Sequence, residues 1–397
     1  MYSSKKNCGT GENAISAQHF SVANHRTRPL KIAIMTWRDL DHPEAGGAEV
    51  FAERTAEVMA KTGHNVTIVS ADFDGAESQL NRNGFSIVRS GGRFSVYLHG
   101  MWHLLKNRKK YDVVLDVQNG VPFWAPWVFP KTVVLLVHHV HREQWHTFFP
   151  QPISSIGWFL ESKLSPFVYR KKHYITVSES SRRELAQVGV DPERVSVIYS
   201  GNEAPPAVLE REPDLDRGFH LVALGRLVPH KHVEFAIDAV AELADRFPEI
   251  HLDVVGSGDW MSNLVAHAEA RGVTDRVTLH GHVDNETKHR LLSRAAVMAM
   301  PSLKEGWGLT ILEAGYHAVP SVAFRHAGGT QESIQDGHTG ILCDTNDEFI
   351  EGIARLLASP EERAKMGAAA RVFALRFDWE RTGSELTELL EKQADQN

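Results

Sequence analysis

Cysteine is scarce in this chain of 397 residues, which contains only Cys8 and Cys343, far apart in the sequence. Two distant cysteines supply neither a disulfide framework nor a cysteine-based zinc site. Structural disulfides are rare in reducing compartments. We therefore expect a cytoplasmic protein whose fold does not depend on disulfide bonds.

Long apolar runs are also missing. A transmembrane helix needs about 20 consecutive, mostly apolar residues, and no segment of the sequence reaches that length. Stable membrane insertion is therefore not expected. Residues 1–28 are polar, lack a helical period and contain no apolar core typical of a signal peptide. We interpret them as a disordered arm.

Positive charge is not in excess, because 43 Lys and Arg face 50 Asp and Glu, a formal net charge of −7. An extended nucleic-acid-binding surface is therefore not expected. The dinucleotide fingerprint G-x-G-x-x-G does not follow the first predicted strand, where Gly46-Gly47-Ala48-Glu49 stands instead. No cofactor is predicted.

Short apolar strands alternate with helical stretches in two series. The first series runs from Lys31–Thr36 to Val195–Ile198, and the second from His220–Leu224 to Gly340–Cys343. Such alternation is typical of parallel, doubly wound sheets, so the fold class is α/β. A stretch rich in Pro and charge separates the series. The predicted units are a first domain at 29–203, a linker at 204–218, a second domain at 219–376 and a C-terminal segment at 377–397.

A glycine-containing loop between a strand and a helix is the central feature of the second series. The apolar run Ala296–Met300 ends at Pro301, the loop follows, and Leu309–His317 is predicted as a helix. This arrangement points free backbone N–H groups at an anion such as a diphosphate. Carboxylates on either side would accept hydrogen bonds from the hydroxyls of a nucleotide sugar. The candidate donor-binding residues here are Glu305, Gly306, Trp307, Gly308, Leu309, Thr310 and Glu313.

This stretch resembles the E-x7-E signature of the retaining family-4 glycosyltransferases, and the resemblance covers nearly the whole chain from about Pro29. It implies the GT-B fold: two Rossmann-like domains with an interdomain cleft, and a final helix, from about Phe377, that crosses back onto the first domain. In that family the first Glu contacts the donor sugar and the second contacts the ribose. Glu305 and Glu313 stand at those positions.

A basic loop follows the first strand of the second series. Gly225-Arg226-Leu227-Val228-Pro229-His230-Lys231 resembles the family's G-R-L-x-x-x-K segment, in which Arg and Lys bind the diphosphate. Arg226 and Lys231 could neutralise the leaving diphosphate as negative charge grows on it. The resemblance implies an enzyme that needs no metal ion, because these cations and the helix dipole take its place.

Smaller residues at other strand ends are weaker candidates for donor binding. Gly46 and Gly47 open the first helix and form a phosphate-sized nest. The resemblance places this loop at the cleft. It also implies that Gly256 approaches the diphosphate and Val283 the base, although small residues at strand ends are often only turns.

Three histidines follow the fifth predicted strand, in Val137-His138-His139-Val140-His141. The resemblance implies a His that contacts the donor sugar here. His138 is the best match, and His139 is the alternative. A metal site is a minor alternative, because no further ligand set at a recognisable spacing accompanies the histidines. Candidate acceptor-binding residues are His139, Glu143 and Trp145.

Two other patterns have ordinary interpretations. The triplets Asp39-Leu40-Asp41 and Asp214-Leu215-Asp216 are interpreted as surface carboxylates, because neither follows a strand as a metal site would need.

The aromatic residues of the first half are expected to be mostly core, with some lining an acceptor pocket. Trp158-Phe159-Leu160 with Arg170-Lys171-Lys172 is a mild candidate for membrane docking. The acidic net balance favours a soluble acceptor instead.

The predicted function is that of a retaining glycosyltransferase with His138, Glu305, Arg226 and Lys231 as its catalytic residues. Its partners would be a UDP- or GDP-linked sugar donor and a small, soluble acceptor, and the protein would be a monomer or a homodimer. Alternatives are a nucleotide-sugar epimerase on the same fold, an inactive binding module, and a glycosyltransferase acting on a lipid-linked or cell-wall acceptor. The donor base, the sugar and the acceptor are not specified by any motif.

Overall fold

The computed structural model of the protein describes residues 28–203 and 219–396. Nearly all of the predicted N-terminal arm, the predicted linker, Cys8 and the second Asp triplet lie outside these ranges. The described chain contains 14 strands, in two sheets. They are β1 (Lys31–Met35), β2 (Asn65–Ser70), β3 (Gln79–Arg82), β4 (Phe85–Arg89), β5 (Val113–Gln118), β6 (Thr132–Val137), β7 (His173–Thr176), β8 (Val195–Val197), β9 (His220–Leu224), β10 (His251–Val255), β11 (Val277–Gly281), β12 (Val297–Met300), β13 (Ser321–Phe324) and β14 (Gly340–Cys343).

Helices connect most of the strands and cover both faces of each sheet. They are α1 (Gly47–Lys61), α2 (Val96–Asn107), α3 (Arg142–Phe148), α4 (Ile153–Phe159), α5 (Ser165–Val168), α6 (Glu179–Gln187), α7 (Glu234–Leu243), α8 (Met261–Ala270), α9 (Asn285–Arg294), α10 (Leu309–Tyr316), α11 (Thr330–Ser333), α12 (Asn346–Ala358), α13 (Pro360–Ala374) and α14 (Trp379–Asp395).

The strand orders confirm two doubly wound sheets. The first sheet runs β3-β4-β2-β1-β5-β6-β7-β8 and the second runs β11-β10-β9-β12-β13-β14. All neighbours pair in parallel except β3 with β4. In each sheet the first strand lies where the order reverses, and open α/β sheets bind ligands outside the carboxyl ends of the strands at that point.

Strand β3 is the element that the sequence analysis missed. It forms a hairpin with β4 through Asn83 and Gly84, whose φ angles are +49° and +87°. Two consecutive positive φ angles suit the right-handed twist of a two-residue hairpin, and Asn-Gly is the sequence pattern typical of it. That pattern was available in the sequence and would have predicted the strand.

The last helix crosses back onto the first domain, as expected. Helix α14 packs on α1 so closely that a Cβ on Gly383 would lie 2.4 Å from Cβ of Val58. Thr382 Oγ1 donates a hydrogen bond to the carbonyl oxygen of Tyr199 at 2.9 Å. Leu386 is fully buried in the core cluster that also holds strand β1. The C-terminal helix is therefore a structural part of the first domain.

Candidate active site at the interdomain cleft

Lys231 and Glu305, 74 residues apart, meet where the carboxyl ends of β9 and β12 lie side by side. Lys231 Nζ donates to Glu305 Oε1 at 2.6 Å. The Lys231 side chain is 19% exposed and the Glu305 side chain 10%, so both are shielded without being cut off from the cleft. Two residues selected separately in the sequence thus form one charged pair at the switch point of the second sheet.

A pocket lies beside this pair. Its walls come from the end of β9 with the loop that follows, and from the end of β12 with the start of the next loop. Gly225, Arg226 and Lys231 line one wall, and Met300, Pro301 and Ser302 line the other. The pocket therefore presents a guanidinium and an ammonium group at the carboxyl edge of a parallel sheet, where anionic ligands bind in such folds.

Arg226 points across the cleft toward the first domain. A Cβ on Gly46 would lie 3.5 Å from Arg226 Nε. More than a third of Arg226 is open to solvent within the cleft, yet the surrounding walls desolvate it and lower the pKa of its guanidinium, and the nearby Arg38 lowers that pKa further. Because like charges repel, the neighbouring guanidinium groups of Arg226 and Arg38 favour an anion between them.

Arg38 lies on the first-domain wall and was missed by the sequence analysis. It is buried, and its guanidinium contacts Glu44 Oε2 at 2.7 Å and Glu49 Oε1 at 3.4 Å. Glu49 Oε2 accepts a hydrogen bond from the backbone N–H of Gly46 at 2.8 Å, which forms a capping box at the start of α1. The spacing Gly46-x-x-Glu49 could have indicated the role of Glu49, but nothing in the sequence indicated that Arg38 would fold back onto it.

The prediction of surface carboxylates is right for Asp41 of the first Asp triplet, which is exposed, and wrong for Asp39, which is buried. Asp39 is 1% exposed and accepts hydrogen bonds from Arg89 at 2.8 Å and from Ser70 Oγ at 2.7 Å. Asp41 also contacts Arg89, at 2.6 Å. Sequence periodicity could not predict this, because the cation comes from β4, some 50 residues away. The network fixes the loop that carries Arg38.

Gly256 is needed for packing between two loops of the second-domain wall. Its φ is +137°, and a Cβ there would lie 1.9 Å from the carbonyl oxygen of Gly225. Real Cβ atoms do not come so close to oxygen, so only glycine fits. The predicted donor contact at Gly256 is untested, but the residue positions the loop that carries Arg226.

Helix α10 begins at the cleft, with Gly308 as its N-cap at φ +93°. Its first residue, Leu309, lies next to Gly47 of the other domain, where a Cβ would be 3.2 Å from Leu309 Cδ1. Free N–H groups at this helix start, near Gly306 and Thr310, are therefore available between the domains. Val283 is partly buried against the second-domain core.

Trp307 has a buried side chain between the two domains. Its side chain is 4% exposed and packs against Tyr199 and Phe377, with ring centroids 4.5 Å and 5.1 Å away. The prediction that Trp307 binds the donor stays a prediction: the ring is part of the packing between the two domains, and its buried Nε1 has no hydrogen-bond partner. The second signature carboxylate, Glu313, accepts a hydrogen bond from Lys288 Nζ at 2.5 Å.

His138 and His139 both lie against the glycine loop. A Cβ on Gly306 would be 2.9 Å from the carbonyl oxygen of His138 and 3.6 Å from Nδ1 of His139. Burial lowers the pKa of His138 to about 4, so its ring is neutral at pH 7. His138 is 9% exposed, and its Nε2 has no hydrogen-bond partner, whereas His139 Nε2 contacts Gln144 Oε1 at 3.2 Å. A buried ring nitrogen without a partner is rare in native structures, and this feature distinguishes His138 from His139.

The loop that carries the predicted acceptor residues His139 and Trp145 is held by Glu161, which the sequence analysis missed. Glu161 is 2% exposed and lies in a π-helical turn, Leu160–Leu164, between α4 and α5. Its carboxylate accepts hydrogen bonds from Trp145 Nε1 at 2.6 Å and from the backbone N–H of His141 at 3.1 Å. The Trp145 ring also packs on Gly157 and Gly120, so it is wedged in place. The side chain of Glu143 lies outside the described part of the chain.

The domains are joined behind the cleft by a second carboxylate. Glu332 in α11 accepts hydrogen bonds from the backbone N–H groups of Glu179, at 2.8 Å, and Ser180, at 2.7 Å. These groups begin α6 of the first domain, so a carboxylate of one domain caps a helix of the other. An ion pair between Lys304 and Glu184 also crosses the boundary.

The chain belongs to the family-4 (group 1) glycosyltransferases. Residues 45–204 match the family model described as Glycosyltransferase Family 4, and residues 211–373 match Glycosyl transferases group 1.

Within the described ranges, no group of side chains could hold a metal ion, and no helix is long and apolar enough to cross a membrane.

Two relatives match over nearly their full lengths. The chain is 36% identical to a GDP-mannose-dependent alpha-(1-6)-phosphatidylinositol monomannoside mannosyltransferase of Mycolicibacterium smegmatis, over 88% of this chain and 95% of that one. It is 31% identical to a D-inositol 3-phosphate glycosyltransferase of Corynebacterium glutamicum, over 87% and 91%. These similarities identify the chain as a glycosyltransferase.

Solved structures support the fold. Sucrose-phosphate synthase from Thermosynechococcus elongatus superposes with a TM-score of 0.78 at 19% identity, covering 93% of this chain and all of that one. Anabaena Alr3699/HepE in complex with UDP-glucose gives a TM-score of 0.73 at 18% identity, covering 91% of this chain and all of that one. At such identities the likeness shows the GT-B fold and nothing finer.

Proposed function

We propose that this glycosyltransferase moves a sugar from a nucleoside-diphosphate sugar to a hydroxyl of a small polyol, with retention of anomeric configuration and without a metal ion. The observation that carries the proposal is the contact between Lys231 and Glu305 beside a pocket that also holds Arg226. This set supplies cations for a diphosphate and a carboxylate for sugar hydroxyls at one place.

The leaving diphosphate would lie between Arg226, Lys231 and the start of α10. Negative charge grows on the diphosphate as the bond to the sugar breaks, and fixed cations stabilise that charge without reorganising. Glu305 would accept a hydrogen bond from a sugar hydroxyl while it orients Lys231. The neutral ring of His138 would contact another hydroxyl through its unpartnered Nε2.

Retention through attack on the leaving-group face fits the carboxylates of the first-domain wall. A double displacement needs a carboxylate free to act as a nucleophile. Glu49 is engaged by Gly46 and Arg38, and Glu161 is engaged by His141 and Trp145. Both therefore serve as supports, and the departing phosphate would help to take the acceptor proton.

The full-length relatives narrow the first substrates to test. One is named for GDP-mannose, and both are named for acceptors that contain inositol. We infer a GDP- or UDP-linked donor, with GDP-mannose tested first, and a cyclitol acceptor. The acidic net charge of the sequence favours a free acceptor. The exposed apolar side chains of the first domain are a reason to test a lipid-linked acceptor as well.

Thermal unfolding with UDP, GDP or ADP, each with EDTA and with magnesium, tests the donor site. A ligand that binds only the folded state raises the melting temperature by mass action. We expect a shift with one nucleoside diphosphate that is the same in EDTA and is lost in Lys231→Gln. A shift that requires magnesium would contradict metal independence.

Proton NMR of the first product reports the anomeric configuration, and an inverted product would exclude retention.

A further inference from the structure

One outer face of the first domain exposes large apolar side chains in an unusual pattern. Phe94, Leu98 and Trp102 are 71%, 71% and 65% exposed, and they are spaced four residues apart along and just before α2. The opposite side of α2 is buried in the domain core through Val96 and Leu104. A surface helix normally has polar residues on its outer side, so the apolar outer stripe of α2 departs from the usual pattern and exposes apolar surface to water.

Exposed apolar side chains also occur in segments that pack beside α2 in the same core cluster. Gly100 of α2 packs on the Phe123 ring, at 2.6 Å from a Cβ position, and the backbone N–H of Ala125 donates to Tyr169 Oη at 3.2 Å. These contacts join α2, the segment after β5 and the end of α5 into one layer. More than half-exposed apolar side chains recur along it at Trp127, Ile153, Ile156, Phe159 and Phe167. We call this layer, with Phe94, Leu98, Trp102 and Leu105, the apolar face.

Basic residues accompany the apolar face, although the whole chain has a net charge of −7. Residues 90–111 contain five basic residues and no acidic one, and residues 151–173 contain four basic residues and only the buried Glu161. Some of these cations lie directly over exposed rings, with Arg170 Cζ 4.6 Å from the Phe167 ring centre and Arg93 Cζ 5.8 Å from that of Phe94. Positive charge and exposed apolar side chains thus occur together in the same two segments of the first domain.

We propose that the apolar face docks the enzyme onto the surface of an anionic phospholipid bilayer. Apolar side chains would enter the boundary between headgroups and acyl chains, while Lys and Arg would contact lipid phosphates. The proposal does not require a membrane-spanning helix. A second copy of the chain paired through the same face would need acidic groups there to meet these cations, and the segments 90–111 and 151–173 carry none apart from the buried Glu161.

Docking would place the acceptor side of the cleft near the lipid. Gly157 of α4 packs against Trp145, which Glu161 holds in the acceptor loop. Ile153, Ile156 and Phe159 extend from this same helix into solvent. A polyol headgroup carried by a lipid would therefore reach the cleft from the docked side. This last consequence rests on the proposed function, whereas bilayer binding itself does not.

Sedimentation with vesicles tests the docking without donor or acceptor. The purified enzyme should sediment with vesicles of phosphatidylcholine mixed with phosphatidylglycerol, and much less with phosphatidylcholine alone. Added salt should release it, because exposed charges are screened. The double variant Leu98→Ser with Trp102→Ser should bind at least about tenfold more weakly. Lys106→Gln with Lys109→Gln should lose roughly fivefold per removed charge.

The matched control is Val372→Ser with Leu375→Ser, which removes two apolar side chains that are 60% and 55% exposed, one in the last turn of α13 and one just after it, outside the segments of the apolar face. It should bind like the wild type, and all variants should keep the wild-type melting temperature. Absence of wild-type binding to anionic vesicles would overturn the proposal, as would equal losses in the test and control variants. Light scattering that shows a dimer broken by the Leu98 and Trp102 changes would assign the apolar face to self-association instead.

Discussion

In the second-domain wall of the cleft, Arg226 and Lys231 stand on a loop held by close backbone packing at Gly256. In the first-domain wall, Arg38 and Trp145 are held by the buried carboxylates Glu49 and Glu161. The first kind of support depends on the absence of side chains, and the second on hydrogen bonds between side chains distant in sequence. The two walls should therefore fail in different ways when they are mutated.

Removing the guanidinium that faces the pocket should give the largest effect. We expect Arg226→Ala to lower kcat/KM roughly a hundred- to a thousandfold, because a fixed group that stabilises growing charge is worth that much in other enzymes. Arg38→Ala should cost only about tenfold, since Arg38 acts through Arg226 and the loop of Gly46. Steady-state kinetics with a saturating acceptor measures both.

The melting temperature of Arg226→Ala serves as the control, because a long side chain in a solvent-filled cleft adds little to stability. Equal losses of activity in the two variants would mean that the phosphate lies midway between the walls and that both arginines bind it directly.

A methyl group on Gly256 should break the second-domain wall by a steric route. Gly256→Ala places Cβ 1.9 Å from a carbonyl oxygen, so we expect a loss of more than about 3 kcal/mol in the free energy of unfolding. Gly272→Ala is the matched control, with φ +69° and nothing within 4 Å of its Cβ. It should cost about 1 kcal/mol from backbone strain alone. Urea unfolding compares them, and similar losses would show that the loop can shift.

The same contrast explains what the sequence could predict. Lys231, Glu305 and Arg226 lie at strand ends, and strand ends of a parallel sheet meet at one edge, so local patterns were enough to bring them together. Arg38 and Glu161 depend on where a loop folds back and on which helix crosses it. Neither has a periodic signature. Asp39 was misassigned to the surface for this reason, since its partner Arg89 comes from another strand.

Glu161→Gln tests the hydrogen-bonded wall. An amide presents an NH₂ group to either the indole N–H of Trp145 or the backbone N–H of His141, so one donor must lose its acceptor. We expect a loss of about 1–3 kcal/mol in unfolding free energy. The KM for the acceptor should rise more than the KM for the donor, because the loop of His139 and Trp145 loosens. Glu161→Asp, which keeps the charge but shortens the reach, should show an intermediate effect.

A donor KM that rises as much as the acceptor KM would contradict the assignment of this wall to the acceptor. Isothermal titration with the nucleoside diphosphate alone separates the two cases, since its affinity should be unchanged in Glu161→Gln.

The contact that joins the two walls should give the smallest effect. In Glu332→Gln, the amide oxygen can still accept from one of the two N–H groups that begin α6, and the other is left facing an NH₂ group. We expect this to weaken the joined arrangement by about 1 kcal/mol, the scale of one hydrogen bond. Tyr199 Oη also donates to Glu332, at 3.2 Å, so Tyr199→Phe is the matched control that keeps both backbone contacts.

Small-angle scattering with the bound nucleoside diphosphate should show a larger radius of gyration for Glu332→Gln alone. Because the walls must close together to exclude water from the sugar, donor hydrolysis without acceptor should rise in the same variant. A hydrolysis rate unchanged from the wild type would mean that Lys304 and Glu184 suffice to hold the domains, and that Glu332 only caps its helix.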